Sequence, residues 1–137
     1  MSPPAVYLVD TSALARIYGS PEGYEEWDRA LVHGTVAVCP ITELEFLYSA
    51  RSETHHARMV DLLNRMLLPV ELSEDHFARA WEVQRLLTGR GEHRSAGPVD
   101  LLVAACAEMH GLTLLHDDND FETIARVTLQ KVRRVRP

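Results

Sequence analysis

Five acidic side chains stand where they could hold a cation between them: Asp10, Glu45, Asp100, Asp118 and Asp120. Asp10 directly follows an apolar run, Val6 to Val9, that reads as a buried strand, and Asp118 and Asp120 follow another, Leu112 to His116. Asp100 falls in the first turn of a helix, and Glu45 about one turn into the helix after a second strand. In open α/β sheets, ligands bind beyond the C-terminal ends of the strands, which is where these positions would gather. Carboxylates brought within ~5 Å repel one another strongly, so such a group is stable mainly around a cation. With oxygen ligands alone, that cation is Mg²⁺ or Mn²⁺. Each acid also has an ordinary role. Asp10 can cap a helix, Asp100 can answer a helix dipole, Glu45 can be a solvated helix acid, and Asp117, Asp118 and Asp120 can form a turn. The neighbours of Asp100 favour the chemical role: Leu101 to Ala105 are apolar, so the helix start is partly buried, and a buried acid needs a partner.

The elements that must position these acids follow from the hydrophobic pattern. After the first strand, Thr11-Ser12 opens a helix with Leu14, Ile17 and Tyr18 at helical spacing, stopped by Gly19. Ser20, Pro21 and Glu22 start a helix that runs through Trp27 and Leu31 towards Gly34. Thr35 to Cys39 is the second strand. Pro40 to Arg51 is predicted as a helix with an apolar face of Ile41, Leu44, Leu47 and Tyr48, and Thr54 to Leu68 as another with Met59, Leu62, Leu63 and Met66. A short strand at Pro69 to Leu72 precedes a helix begun by Ser73 that carries Phe77, Trp81, Leu86 and Leu87. The loop Gly89 to Gly97 leads to a helix opened by Pro98 and running to His110. Asn119 to Arg126 is a short helix, and Val127 to Val135 holds a last strand. Strands alternating with helices give an α/β fold, a three-layer α/β/α arrangement around a central parallel sheet of about four to five strands.

At 137 residues the chain suits one domain, residues 1–137. The apolar stretches fall far short of the ~20 residues that span a bilayer, and Met1 to Pro4 lack a basic region followed by an apolar one, so a soluble, cytoplasmic protein with no membrane role is expected. Cys39 and Cys106 lack C-x-x-C spacing and sit in apolar runs, which favours buried thiols over a disulfide scaffold or a zinc knuckle. The net charge is −6, so the protein's overall field repels polyanions. Residues 131–137 hold four of the 14 bases and no acids, which leaves 10 bases against 20 acids in the rest.

Four segments carry a resemblance. VYLVDTSAL (Val6 to Leu14), ITELEFLYSA (Ile41 to Ala50), RSAGPVDLLVAACA (Arg94 to Ala107) and LLHDDNDFETIA (Leu114 to Ala125) resemble, in order, the four acidic motifs of PIN-domain ribonucleases, above all the VapC-type toxins of toxin–antitoxin pairs. The resemblance implies a parallel α/β/α fold, Mg²⁺- or Mn²⁺-dependent cleavage of RNA phosphodiesters, a small VapB-like antitoxin as partner and frequent homodimerisation. It matches Asp10, Glu45, Asp100, Asp118 and Asp120 to the metal-binding acids of the family, and Thr11, Ser12, Arg94 and Ser95 to positions that often line the site. Glu43 projects roughly 200° around the helix from Glu45 and is the second choice there. Asp117 leaves the register of the fourth motif open by one residue.

Other residues weigh less. Arg16, Arg90, Arg94 and the tail Lys131 to Arg136 are candidate phosphate contacts. His116 reads as a strand-end residue packing beneath the acids, since no second His or Cys has ligand spacing to it. Trp27, with Tyr24 and Leu31, reads as core or partner interface, and the resemblance to VapC-type toxins implies that its helix and the Thr54 to Leu68 helix help form an antitoxin groove. A receiver-like signalling module wants a Lys at the end of the last strand, and Lys131 is the only Lys. A haloacid-dehalogenase-type phosphatase wants a second Asp after Asp10-Thr11. A catalytically silent PIN-like binding module is the remaining alternative, against which the five acids argue.

Overall fold

The computed structural model describes residues 5–135; Met1 to Pro4, and Arg136 and Pro137 of the basic tail, lie outside the described residues. In chain order the elements are β1 (Tyr7–Val9), α1 (Thr11–Tyr18), α2 (Pro21–Val32), β2 (Val36–Val38), α3 (Pro40–Tyr48), α4 (Glu53–Met66), β3 (Leu68–Pro69), α5 (Glu74–Gly89), α6 (Pro98–Met109), β4 (Thr113–His116), α7 (Asn119–Thr128) and β5 (Val132–Arg134). The strands form one parallel sheet in the order β3-β2-β1-β4-β5. The chain therefore leaves β1 on one side for β2 and β3, then returns across it to lay down β4 and β5. At that reversal Val9 pairs with Leu115 and the Asp10 amide donates to the Leu115 carbonyl at 3.1 Å. The segments after β1 and β4 diverge there and open a crevice.

The period-2 alternation of the strands sorts the core into two layers. Leu8, Ala37 and Leu114 point to one face and pack with α5, α6 and α7 through Val83, Leu87, Val103, Ala104, Phe121 and Ile124. Val9, Val36, Val38 and Leu115 point to the other, against α1, α2 and α4 through Leu14, Ile17, Trp27, Leu31 and Leu63. Trp27 is buried, its ring edge-on to Tyr7 at 5.3 Å, and so belongs to the core. Each fully buried Leu or Ile contributes roughly 1.5–3 kcal/mol relative to exposure.

Two helices leave large apolar residues outside the core, although Ile41 and Leu47 of the predicted α3 face do pack against it. In α3, which ends at Tyr48 and not at Arg51, Leu44 and Tyr48 are exposed and Thr42 is the buried residue. In α5 the large residues Phe77 and Trp81 point outward, and the face towards the core is His76, Ala80, Val83 and Leu87. The reason is steric: α6 offers Ala104, Ala105 and Ala107, and small residues on both helices allow a close approach that a Trp would block. The edge strand is Leu68–Pro69, earlier than expected; a proline lacks an N–H and is tolerated at a sheet edge.

Candidate metal centre

Asp10 ends β1 and caps α1. Its Oδ1 accepts from the Ala13 amide at 3.0 Å and its Oδ2 from the Ser12 amide at 3.2 Å, satisfying donors that the first turn of a helix leaves open. The Ser12 hydroxyl lies 2.8 Å from Asp10 Oδ1 and accepts from the Asp117 amide at 2.8 Å, so one side chain ties the first acid to the turn after β4. Asp118 caps α7: its Oδ1 accepts from the Asp120 amide at 2.9 Å, and its own amide donates to His116 Nδ1 at 3.2 Å. His116 is fully buried under this turn, against Phe121, with its pKa lowered chiefly by burial. Asp100 stands in the first turn of α6, after Pro98.

These elements bring Asp100, Asp118 and Asp120 together, each offering a carboxylate oxygen within 4.8 Å of the other two. Asp10 lies close enough for Asp118 to repel its charge. Glu45 is exposed and not one of the three; its Oε1 accepts at 2.8 Å from the hydroxyl of Thr11, the residue after Asp10. Glu43 is half-buried, and burial raises its pKa. The hydroxyls of Thr11 and Ser12 are thus engaged with acids, while Arg94 and Ser95 are exposed in the loop before α6.

Asp117 goes elsewhere. Its buried carboxylate meets Arg16 Nε at 3.0 Å and Arg134 at 3.1 Å, and Arg134 also donates to Asn119 Oδ1 at 2.6 Å. This clamp between α1 and β5 was not foreseen from the sequence, where Arg16 read as a phosphate contact. It leaves Asp118 as the acid that faces Asp100. Arg133 stacks over Trp27 at 4.8 Å, and Arg90 pairs with Glu92.

The electrostatics separate the two groups of acids. Asp117 has two guanidinium partners, whereas among the described residues no Arg, Lys or His forms an ion pair with Asp10, Asp100, Asp118 or Asp120. Burial, with a smaller push from Asp118, raises the pKa of Asp10 to about 6 against the pull of the Ser12 and Ala13 hydrogen bonds. Burial, together with the hydrogen bond and charge of Asp120 and the charge of Asp118, raises Asp100 to about 7. An all-oxygen, negatively charged group with no protein cation is the donor set of a hard divalent ion. The residues fit Mg²⁺ or Mn²⁺.

Comparison with known proteins bears on the family and the fold. The PIN-domain profile matches residues 7–127. Ribonuclease VapC21 of Mycobacterium tuberculosis is 40% identical over 129 residues, covering 94% of this chain and 93% of the relative. Ribonuclease VapC2 of the same species is 41% identical over 130 residues, covering 94% and 92%. The fold is similar to that in the crystal structure of VapBC2 from Rickettsia felis bound to a promoter DNA fragment, with a TM-score of 0.78 at 18% identity over 94% of this chain and 98% of that one. It is also similar to that of VapBC-5 from Mycobacterium tuberculosis, with a TM-score of 0.64 at 22% identity over 98% and 100%.

Proposed function

We propose that this chain, which belongs to the PIN-domain family and within it to the VapC ribonucleases, is an Mg²⁺- or Mn²⁺-dependent endoribonuclease and the toxin of a toxin–antitoxin pair. The observation that carries the reading is the convergence of Asp100, Asp118 and Asp120 within 4.8 Å, with no Arg, Lys or His ion-paired to them among the described residues. Asp10, Asp100 and Asp118 would hold the ion, with Glu45 and Asp120 beside them. When bound, the ion supplies Lewis acidity, activating water and offsetting the charge that develops on the phosphodiester.

The remaining work falls to the chain's own groups. Ser12 and the first turn of α1 fix the Asp10 carboxylate, and Thr11 orients Glu45, so these two residues act as positioning residues. Without the ion, burial and the neighbouring Asp120 and Asp118 raise the pKa of the Asp100 carboxyl to about 7, so it is part protonated near neutral pH, which relieves the repulsion. Arg94 and Ser95, exposed beside the N-terminus of α6, would meet the RNA backbone. The acid group itself repels RNA, so cation loading and substrate binding act in the same direction.

A small VapB-like antitoxin would be the partner, a reading supported by the VapBC complexes of similar fold; a second copy in a homodimer and a cytoplasmic location belong to the same proposal. Among the described residues no helix is long and apolar enough to cross a membrane. The exposed large apolar residues include Leu44 and Tyr48 of α3 and Phe77 and Trp81 of α5, whereas Trp27 and Leu31 of α2 and Met59 and Leu63 of α4 are buried. Surface left for a partner therefore lies more on α3 and α5 than on the helices expected from the sequence.

Incubating the protein with total cellular RNA tests the activity. Cleavage is expected with Mg²⁺, none with EDTA, and none with Asp100→Asn. Cleavage at the wild-type rate by Asp100→Asn would overturn the assignment, and no cleavage by the wild type under any divalent ion would overturn the enzyme.

A further inference from the structure

We propose that His76, Cys106 and His110 form a second metal site, suited to a borderline transition ion such as Zn²⁺ and separate from the carboxylates. One ligand atom from each residue lies within 4.8 Å of the other two, and the two imidazole rings are 5.1 Å apart. Cys106 and His110 stand four residues apart at the end of α6, a spacing that puts both on one side of the helix. Asp100, ten residues before His110, is roughly 15 Å away along the same axis. His76 comes from the first turn of α5, so the three ligands join two helices. Cys106 and His76 are buried and His110 is exposed, which gives an ion a way in.

The hydrogen bond at His110 suits coordination, and that at His76 must rearrange on binding. The His110 Nε2–H donates to the Glu71 carbonyl at 3.0 Å, which leaves the Nδ1 lone pair for a metal; a backbone carbonyl on the other ring nitrogen is the usual support of a ligating histidine. The Cys106 sulfur lies 3.7 Å from the same carbonyl. His76 is held by Ser73, whose amide donates to Nδ1 at 2.7 Å. Coordination through Nε2 moves the ring proton to Nδ1, so the Ser73 amide contact to Nδ1 must open and the Ser73 hydroxyl, 3.3 Å away, becomes the acceptor for Nδ1–H. The Cys106 thiol proton leaves to solvent as the sulfur–metal bond forms, so binding releases a proton.

Two imidazoles and a thiolate select Zn²⁺, Co²⁺ or copper over Mg²⁺, whereas the carboxylates select Mg²⁺ or Mn²⁺. One chain thus sorts ions by ligand softness at two places. The ion would tie the start of α5 to the end of α6.

Co²⁺ added to the reduced full-length protein in excess Mg²⁺ tests this, because Mg²⁺ occupies the carboxylates and thiolate-to-cobalt charge transfer is visible in the near ultraviolet. One equivalent of Co²⁺ with that band is expected, displaced by Zn²⁺. His110→Ala, at an exposed position, should melt as the wild type does without metal and bind Co²⁺ at least about tenfold more weakly. Cys106→Ala should lose the band, and Asp100→Asn should keep it, which separates this site from the proposed nuclease centre. Absence of the band in the folded wild type overturns the site, as does unchanged affinity in His110→Ala. A band that survives in Cys106→Ala does so too, since the thiolate would then be the other buried thiol, Cys39, which hydrogen-bonds to Cys106.

Discussion

Replacing Asp10 by Asn distinguishes an acid built for a cation from an acid that only caps a helix. Asp10 is 6% exposed and its pKa stands at about 6 against a model-compound value of 3.8. Because the folded value is the higher one, the native state holds the proton more tightly than the unfolded chain, and stability falls as pH rises from about 3.8 to 6. The loss is about 2.2 pKa steps at 1.36 kcal/mol each, or ~3 kcal/mol above pH 6 in metal-free protein. Asn removes that charge and still accepts the Ala13 amide through its Oδ1, but loses the second acceptor facing Ser12, at a cost of ~1 kcal/mol. Metal-free Asp10→Asn should therefore be more stable than the wild type at pH 8 by ~2 kcal/mol. For a chain of this length that is about 7 °C in Tm. At pH 4 the advantage should vanish or reverse, since the wild-type carboxyl is then largely protonated. Thermal melts in EDTA at the two pH values measure it. At an ordinary helix cap Asn serves as well as Asp apart from the lost charge–dipole attraction, so the variant would be as stable as the wild type or less stable by up to ~1 kcal/mol at pH 8, and that result would refute the reasoning.

The other predictions concern single contacts. Ser12→Ala should lower Tm by about 4–7 °C, because it leaves the buried Asp117 amide and Asp10 short of a partner, and should slow RNA cleavage through the loosened Asp10; melts and a cleavage assay check both. Glu45→Gln should reduce cleavage while Glu43→Gln leaves it near wild type, measured side by side on the same RNA. Trp81→Ser should change the unfolding free energy of the monomer by less than ~0.5 kcal/mol, whereas Leu87→Ala, at a fully buried position, should cost ~2–5 kcal/mol in urea denaturation.

Much of the frame was legible because it rests on local pattern. Val6 to Val9 ending at Asp10, Gly19 after α1, Ser20-Pro21 before α2 and Pro98 before α6 each act within a few residues, and the helices begin where those signals stand. The buried faces of α3 and α5 were not legible, because Phe77 and Trp81 fit helical spacing as well as Ala80, Val83 and Leu87 do. Only the alanines of α6 decide between the two faces, and they lie some 20 residues on. The candidate acids were readable as types, through their places at strand and helix ends. Their gathering beyond the strand ends was expected from the α/β pattern and the resemblance, but which of them come within reach of one another depends on β4 returning beside β1. The choice between Asp117 and Asp118 likewise needed Arg16 and Arg134, more than a dozen residues away on either side. The spacing of Cys106 and His110 was visible on the predicted helix, but His76 reaches them only through the packing of α5 on α6.

The claim beneath the whole account is that Asp100, Asp118 and Asp120 meet in order to hold a hard divalent ion. Binding of Mn²⁺, followed by loss of the free-ion signal in electron paramagnetic resonance, tests it without reference to RNA. Wild-type protein should take up Mn²⁺ with a defined stoichiometry, and Asp118→Asn, correctly folded by circular dichroism, should bind it at least about tenfold more weakly. Equal Mn²⁺ affinity in the two proteins would contradict the account.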